Sequence, residues 1–188
     1  TMILLAKMEA AGIGVDSTKL LGLRAEFLSI EETSTKAAYL AAGSEFNVSS
    51  PKQLQQVLFD KLKLPKTKRI KTGYSTDAES LEWLYKTTKH EVLGNILRIR
   101  EFAKLRTTVN GLIESVSEDS RIHTTFQQTV TATGRLSSTN PNLQNIPVRS
   151  EEGRRIRDAF VAVTPYSELM TADYSQIEMR IMAHLSRS

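Results

Sequence analysis

The sequence predicts an α+β protein: a mainly helical first part, joined by a long helix to a partial antiparallel sheet in the last third. Three observations carry this. Helix-capping signatures precede apolar stripes of helical spacing at several points in the first half. A stretch from about His90 to Val116 holds helical periodicity with no proline and only two glycines. Beyond it the composition turns to β-branched residues, glycine breaks and proline-rich turns. The expected division is 1–16 as a lead-in, 17–117 as a helical unit and 118–188 as a unit built on the sheet.

The elements follow in order. Asp16 is placed to cap a helix whose Leu20, Leu23, Phe27 and Ile30 share one face, with Gly43 as its stop. In "SSPKQLQQVLFDKL", Ser50 is a good N-cap, Pro51 suits the first helical position and Gln53 completes a capping box. Leu54, Val57, Leu58 and Leu62 supply the stripe. A second box, Thr76 with Glu79, precedes Leu81 and Leu84, and Trp83 beside them reads as packing. The long run then places Leu93, Ile96, Leu97, Leu105, Val109, Leu112 and Val116 on one helix of about 40 Å. "RIHTTFQQTVTAT" predicts a strand broken at Gly134, "SEEGRRIRDAF" a short helix, and "FVAV" and "SELMTAD" two further strands. The second of these delivers Asp173 to the start of a helix, "SQIEMRIMAHLS".

Composition narrows the function classes. The 188 residues are 40% hydrophobic and 24% charged, an ordinary globular balance. No apolar run reaches the ~18 residues of a membrane span, and the first residues lack a basic leader, so a cytoplasmic protein with no membrane partner is expected. Cysteine is absent, which removes disulfides and thiolate metal sites. A net charge of +4 leans towards an anionic partner. There is no phosphate-cradling P-loop, Rossmann glycine pattern, serine nucleophile elbow or His-Glu-x-x-His. His90, His123 and His184 have no second ligand at metal spacing and read as structural or exposed.

Three stretches carry chemistry. Residues 61–71, "KLKLPKTKRIK", hold Lys61, Lys63, Lys66, Lys68, Arg69 and Lys71 with no acid, followed by Thr72 and Ser75. Lysines there would neutralise phosphates, and hydroxyls would fix register; a solvated surface loop would look the same. "TATGRLSSTNPNLQNIPVR" gathers Arg135, Asn142, Gln144, Asn145 and Arg149, groups suited to the degenerate acceptors of a minor groove. Ordinary turn chemistry uses the same residue types. Asp173 could ligate a hard divalent cation, or it could be a simple helix cap.

Together these stretches resolve the ambiguity. "TATGRLSSTNPNLQNIP", "EGRRIRDAF" and "ADYSQIEMRIMAHLS", in that order, closely resemble the family A DNA polymerases of bacteria, the polymerase I group. Upstream, "FNVSSPKQL", "VLFDKL" and "KTGYSTDAE" resemble the thumb of the same family, so the likeness runs from about Glu9 onward. It implies a helical thumb and the first part of a palm. It also implies nucleotidyl transfer on a primer–template duplex from deoxynucleoside triphosphates, with two Mg2+ ions, in replication and repair. At matching positions Asp173 looks like a palm carboxylate that holds the metals, with the Tyr174 carbonyl completing the shell. Glu178 looks like the steric gate against a ribonucleotide 2′-hydroxyl, with Gln176 and Arg180 as support. Arg135 looks like the residue that reaches the primer end. Asn142, Gln144 and Asn145 match positions that touch the duplex. The thumb tip, with Lys66, Lys68, Arg69, Lys71, Thr72 and Ser75, matches the backbone grip. Met179 stands where leucine is commoner, a nearly volume-conserving change. The family's second palm carboxylate, in a His-Asp-Glu tripeptide, has no counterpart here, and neither has its fingers helix. The resemblance therefore implies a piece of a polymerase that does not polymerise alone; the alternative is a duplex-binding module without catalysis.

Overall fold

The computed structural model describes residues 1–186. The chain runs α1 (Met2–Ala11), β1 (Ile13–Gly14), α2 (Ser17–Ala42) and α3 (Pro51–Gln55), which widens into a π-helical turn (Gln56–Lys61). A hairpin of β2 (Arg69–Ile70) and β3 (Gly73–Tyr74) leads to α4 (Ala78–Thr88) and α5 (Glu91–Glu114). Then come β4 (Arg121–Ile122), β5 (Thr125–Gln127), β6 (Ser137–Thr139), α6 (Glu151–Arg157) and α7 (Ile177–Ser186). The strands form three two-stranded antiparallel ladders, β1 with β4, β2 with β3 and β5 with β6.

Helix boundaries obey local chemistry. Asp16 accepts the Lys19 N–H at 3.1 Å and so caps α2. Gly43 ends it in the left-handed region at φ 68°. Ser50 accepts from Gln53 N–H, but the Gln53 side chain reaches past the cap to the Asn47 N–H, at 2.7 Å. The expected Thr76 cap is instead Asp77, which accepts from Ser80 N–H at 2.8 Å. Thr76 is buried and gives its carbonyl to Arg100, so the adjacent carboxylate, a stronger acceptor, takes the capping role. His90 caps α5 through Nδ1, which accepts from Val92 N–H at 3.2 Å. Trp83, expected to pack, is half exposed. Leu81 and Leu84, three apart, occupy the buried face of α4 and turn their neighbour outwards.

The core lies in two clusters along α2 and α5. One end of α2 (Leu20, Leu23, Phe27) packs with Phe102, Leu105, Val109 and Leu112, together with Ile122, Ile156 and Ala159. The other end (Ala38, Ala42) packs with Val92, Leu93, Ile96 and Ile99, and with Leu54, Leu58, Leu81 and Leu84. The pairing of early α2 with late α5 makes the two helices antiparallel. Phe27 and Phe102 meet edge to face at 5.5 Å, and Arg106 forks onto Glu31 at 2.8 and 3.3 Å. The cluster around Leu20, Leu23 and Phe27 fastens β4 and α6 to this pair. Arg155 adds a bidentate bond to Glu26 at 2.7 and 2.6 Å.

The sheet is less developed than the sequence suggested. Residues 121–133 yield only β4 and β5 before a run of bends and turns. "FVAV" contributes an isolated bridge, Val15 to Phe160. "SELMTAD" is not a strand, and its side chains are exposed. An extended segment becomes a strand only when a neighbour takes its N–H and C=O groups, and no described residue pairs with 167–173.

Candidate nucleic-acid interface and the Asp173 segment

The basic stretch becomes a tight hairpin. Arg69 pairs with Tyr74 and Ile70 with Gly73, leaving Lys71 and Thr72 as the two-residue turn. Thr67 and Ser75, both buried, lock its base: Thr67 Oγ1 donates to the Ser75 carbonyl at 2.6 Å, and Ser75 N–H to the Lys68 carbonyl at 2.8 Å. Ser75 is thus a buried support, and its hydroxyl also accepts from the Asp77 N–H at 3.3 Å. The cations point outwards. Lys66, Lys68, Arg69 and Lys71 are exposed, and none belongs to an ion pair among the described residues. Lys66 lies 5.1 Å from the centre of the Tyr74 ring. Asp77, at the foot of the hairpin, has its pKa lowered to about 2, chiefly by the Ser75 hydroxyl and then by the Ser80 bonds.

The segment after β5 is an ordered loop. Ser138 is buried, its Oγ lying 2.7 Å from Thr124 Oγ1, donating to the Pro141 carbonyl and accepting from Leu143 N–H, both at 3.1 Å. Asn142 Oδ1 accepts from Gln144 N–H at 2.9 Å, and the Gln144 amide donates to the Leu136 carbonyl at 3.1 Å. Thr131 Oγ1 donates to the Arg135 carbonyl at 2.5 Å. Around this scaffold Arg135, Asn142, Gln144 and Asn145 remain exposed.

Asp173 and Tyr174 precede α7 in exposed backbone outside any helix or strand. Asp173 is not the cap of that helix, which begins four residues later at Ile177. Gln176 adopts φ 53° in the intervening turn, and Arg180 Nε donates to the Ser175 carbonyl at 2.9 Å, bracing the turn. Glu178 points to the preceding loop and meets Arg135 at 3.2 Å, across 43 residues of sequence. Both side chains are about three-quarters exposed, so this contact is an open junction with little stabilising weight of its own. The structure thus brings Arg135 together with Glu178. The donor chemistry near Asp173, a carboxylate and a carbonyl, suits a hard divalent cation. No group of three His, Cys, Asp or Glu able to hold a metal gathers among the described residues.

Gln55, Phe59 and Gly73 together set the hairpin; sequence reasoning places Gly73 beside the basic stretch only as a source of backbone N–H and does not single out Gln55 and Phe59. It also passed over Arg121, which donates to the carbonyls of Ala11 and Thr164 at 2.7 and 3.0 Å and ties α1 to the segment after α6. Only Gly73, at a φ of 127° beside a basic turn, left a local signal.

A helical pair here carries a cationic hairpin, an arginine–amide loop and a carboxylate ahead of a helix. The chain belongs to DNA polymerase family A, whose model matches residues 18–188. It is 59% identical over 182 residues to DNA polymerase I of Mycobacterium tuberculosis (strain ATCC 25618 / H37Rv), covering 97% of this chain and 20% of that protein. DNA polymerase I of Geobacillus stearothermophilus is 49% identical over 185 residues, covering 97% and 21%. The fold matches the POL domain of Pol1 from M. smegmatis, solved in complex with DNA primer-template and dNTP, at a TM-score of 0.91 and 60% identity. That match covers 97% of this chain and 32% of that one. The chain spans about a fifth of the length of the curated relatives it matches. Among the described residues no helix is long and apolar enough to cross a membrane.

Proposed function

We propose that this chain is the thumb, residues 17–117, and the first part of the palm, residues 118–188, of a cytoplasmic DNA-directed DNA polymerase that works on primer–template duplex in replication and repair. The contact of Arg135 with Glu178 carries the reading. It joins the arginine–amide loop to the helix that follows Asp173, so a group suited to the primer end and one suited to the incoming sugar share one junction. The relative solved with primer-template and dNTP supports the same assignment.

In this reading Lys66, Lys68, Arg69, Lys71 and Thr72 grip the phosphate backbone, with Ser75 shaping the hairpin base. Arg135, Asn142, Gln144 and Asn145 face the minor groove near the growing end. Glu178 excludes a ribose 2′-hydroxyl, and Gln176 and Arg180 hold the turn that sets its helix. The Asp173 carboxylate and Tyr174 carbonyl would hold Mg2+, which lowers the pKa of a bound hydroxyl and stabilises charge on phosphate oxygens. Asp173 is one carboxylate, and a two-metal site needs more, so the chain alone should bind duplex without extending a primer.

Anisotropy of a labelled primer–template duplex, titrated at several salt concentrations, tests the grip. Replacing Lys68, Arg69 and Lys71 by alanine removes three phosphate partners and should lower the slope of log K against log salt by about 2.7. Over 50 to 200 mM salt that difference is roughly 40-fold in relative affinity. Parallel lines would overturn the assignment of the hairpin. Primer extension by the purified chain, dependent on Asp173, would overturn the claim that it cannot act alone.

A further inference from the structure

The cationic hairpin has no core of its own. Two strands of two residues are too small to hold a shape in water, so the direction in which Lys68, Arg69 and Lys71 project must be set from outside. The structure shows what sets it. Gln55 and Phe59, four apart and therefore on one face of the helical segment, both take hold of Tyr74. Gln55 Oε1 accepts the Tyr74 N–H at 3.0 Å, and the Phe59 ring meets the Tyr74 ring edge to face at 5.4 Å. The π-helical turn buries Val57, Leu58 and Phe59 in succession, anchoring this clamp in the core cluster around Ala38 and Ala42. Gly73 belongs to the same device. A Cβ there would lie 1.9 Å from Gln55 Oε1, and its φ of 127° disfavours any other residue.

Resting on the reading of the hairpin as a phosphate grip, we propose that Gln55 is a positioning residue for duplex binding. It touches no phosphate. It fixes the hairpin through Tyr74, so that several cations meet successive phosphates at once. Without it the Thr67–Ser75 bonds still close the base, but the turn that carries Lys71 is no longer held in register with the phosphates.

The test uses the whole 188-residue chain, a labelled primer–template duplex and a salt series, with Gln55→Met, Gly73→Ala and Lys71→Ala beside the unchanged protein. Gln55→Met keeps net charge and side-chain volume but removes the acceptor. It should weaken binding several-fold and lower the salt slope by about 1, as if a phosphate partner were lost, while Tm moves by at most about 4 °C. Gly73→Ala attacks the clamp from the hairpin side, outside the helical packing, and should reproduce the binding defect even if Gln55→Met folds poorly. A fall in Tm with affinity and slope unchanged in both variants would make Gln55 merely structural and overturn the proposal. Lys71→Ala separates the two levels. If it leaves the slope untouched, or the unchanged chain binds no duplex at low salt, the grip itself fails and the proposal falls with it.

Discussion

Gly153 gives the sharpest test of how the loop bearing Asn142, Gln144 and Asn145 is held. It lies inside α6, where glycine is a poor helix former, and replacing it by alanine would ordinarily add about 0.8–1 kcal/mol of stability. Here a Cβ would stand 2.2 Å from the Pro147 carbonyl oxygen, 2.7 Å from its carbon and 2.8 Å from its Cβ. Two of these are backbone atoms, which cannot swing aside as a side-chain tip can. Relieving them means moving α6 off the loop, against the burial of Ile156 and the Arg155–Glu26 fork. Overpacking of this kind costs typically ~1–3 kcal/mol. At overlaps so far below contact distance the upper part of that range applies and outweighs the helix gain. Gly153→Ala should therefore lower stability by about 1–2 kcal/mol, a fall in Tm of roughly 2–8 °C for a chain of this size. Gly22→Ala and Gly111→Ala are the internal controls. Both positions lie within helices with nothing inside 4 Å of a new Cβ, so each should raise Tm by about 1–4 °C. Thermal melts followed by circular dichroism decide the matter. If Gly153→Ala is stabilising like the controls, the close approach of α6 to the loop is not as the structure has it.

Three further outcomes concern titratable or charged side chains. Both nitrogens of His123 face acceptors, the Glu9 carbonyl at 2.8 Å and the Asp119 carboxylate at 2.9 Å, and these hold its pKa above 6.5, the carbonyl most. His123 in turn holds the Asp119 carboxyl below its usual 3.8. A raised histidine pKa contributes stability in full below the unfolded value and loses it as pH climbs through the folded one. A depressed aspartate pKa does so above its unfolded value and loses it on acidification. The tie between α1 and β4 is therefore strongest between about pH 4 and 6.5. The Tm gap between the unchanged chain and His123→Asn should peak there and narrow above pH 7; a gap independent of pH would refute the tie. In a complete family A polymerase carrying this segment, Glu178→Ala should relax selection against ribonucleotides, and Arg135→Ala should slow incorporation more than it weakens duplex binding. Steady-state incorporation with matched deoxy- and ribonucleotides checks both, and unchanged sugar selectivity would remove the gate.

What the sequence disclosed was what neighbours in the chain decide. Asp16, Ser50 and Gly43 act within a few residues of themselves, so helix ends could be read from residue type and spacing. The one displaced cap lies in Ser75–Thr76–Asp77, three residues that are all capable of capping. Arg100, 24 positions away, takes the Thr76 carbonyl, a partner that no local rule encodes. Similarly, Arg106 reaches Glu31 over 75 residues and Arg155 reaches Glu26 over 129. No periodicity encodes such pairs. The misread strand 167–173 fails for the same reason, because strand propensity reports fitness for a pleated surface that a partner must complete.

The motif reading of residues 131–149 set turn chemistry against nucleic-acid contact, and the structure shows why neither excludes the other. Leu143 and Ile146 pack the loop against the core, and the side chains of Ser138, Thr124, Thr131 and Asn142 (through Oδ1) tie its backbone turns together. The groups left outside, Arg135 above all, then stand at fixed places on an ordered surface. A pure turn would need only the first set, and a disordered basic tail only the second. Both sets occur in one segment, with Arg135 meeting Glu178 from a helix 43 residues on, an arrangement that the proposed reading of a duplex end and an incoming sugar would use.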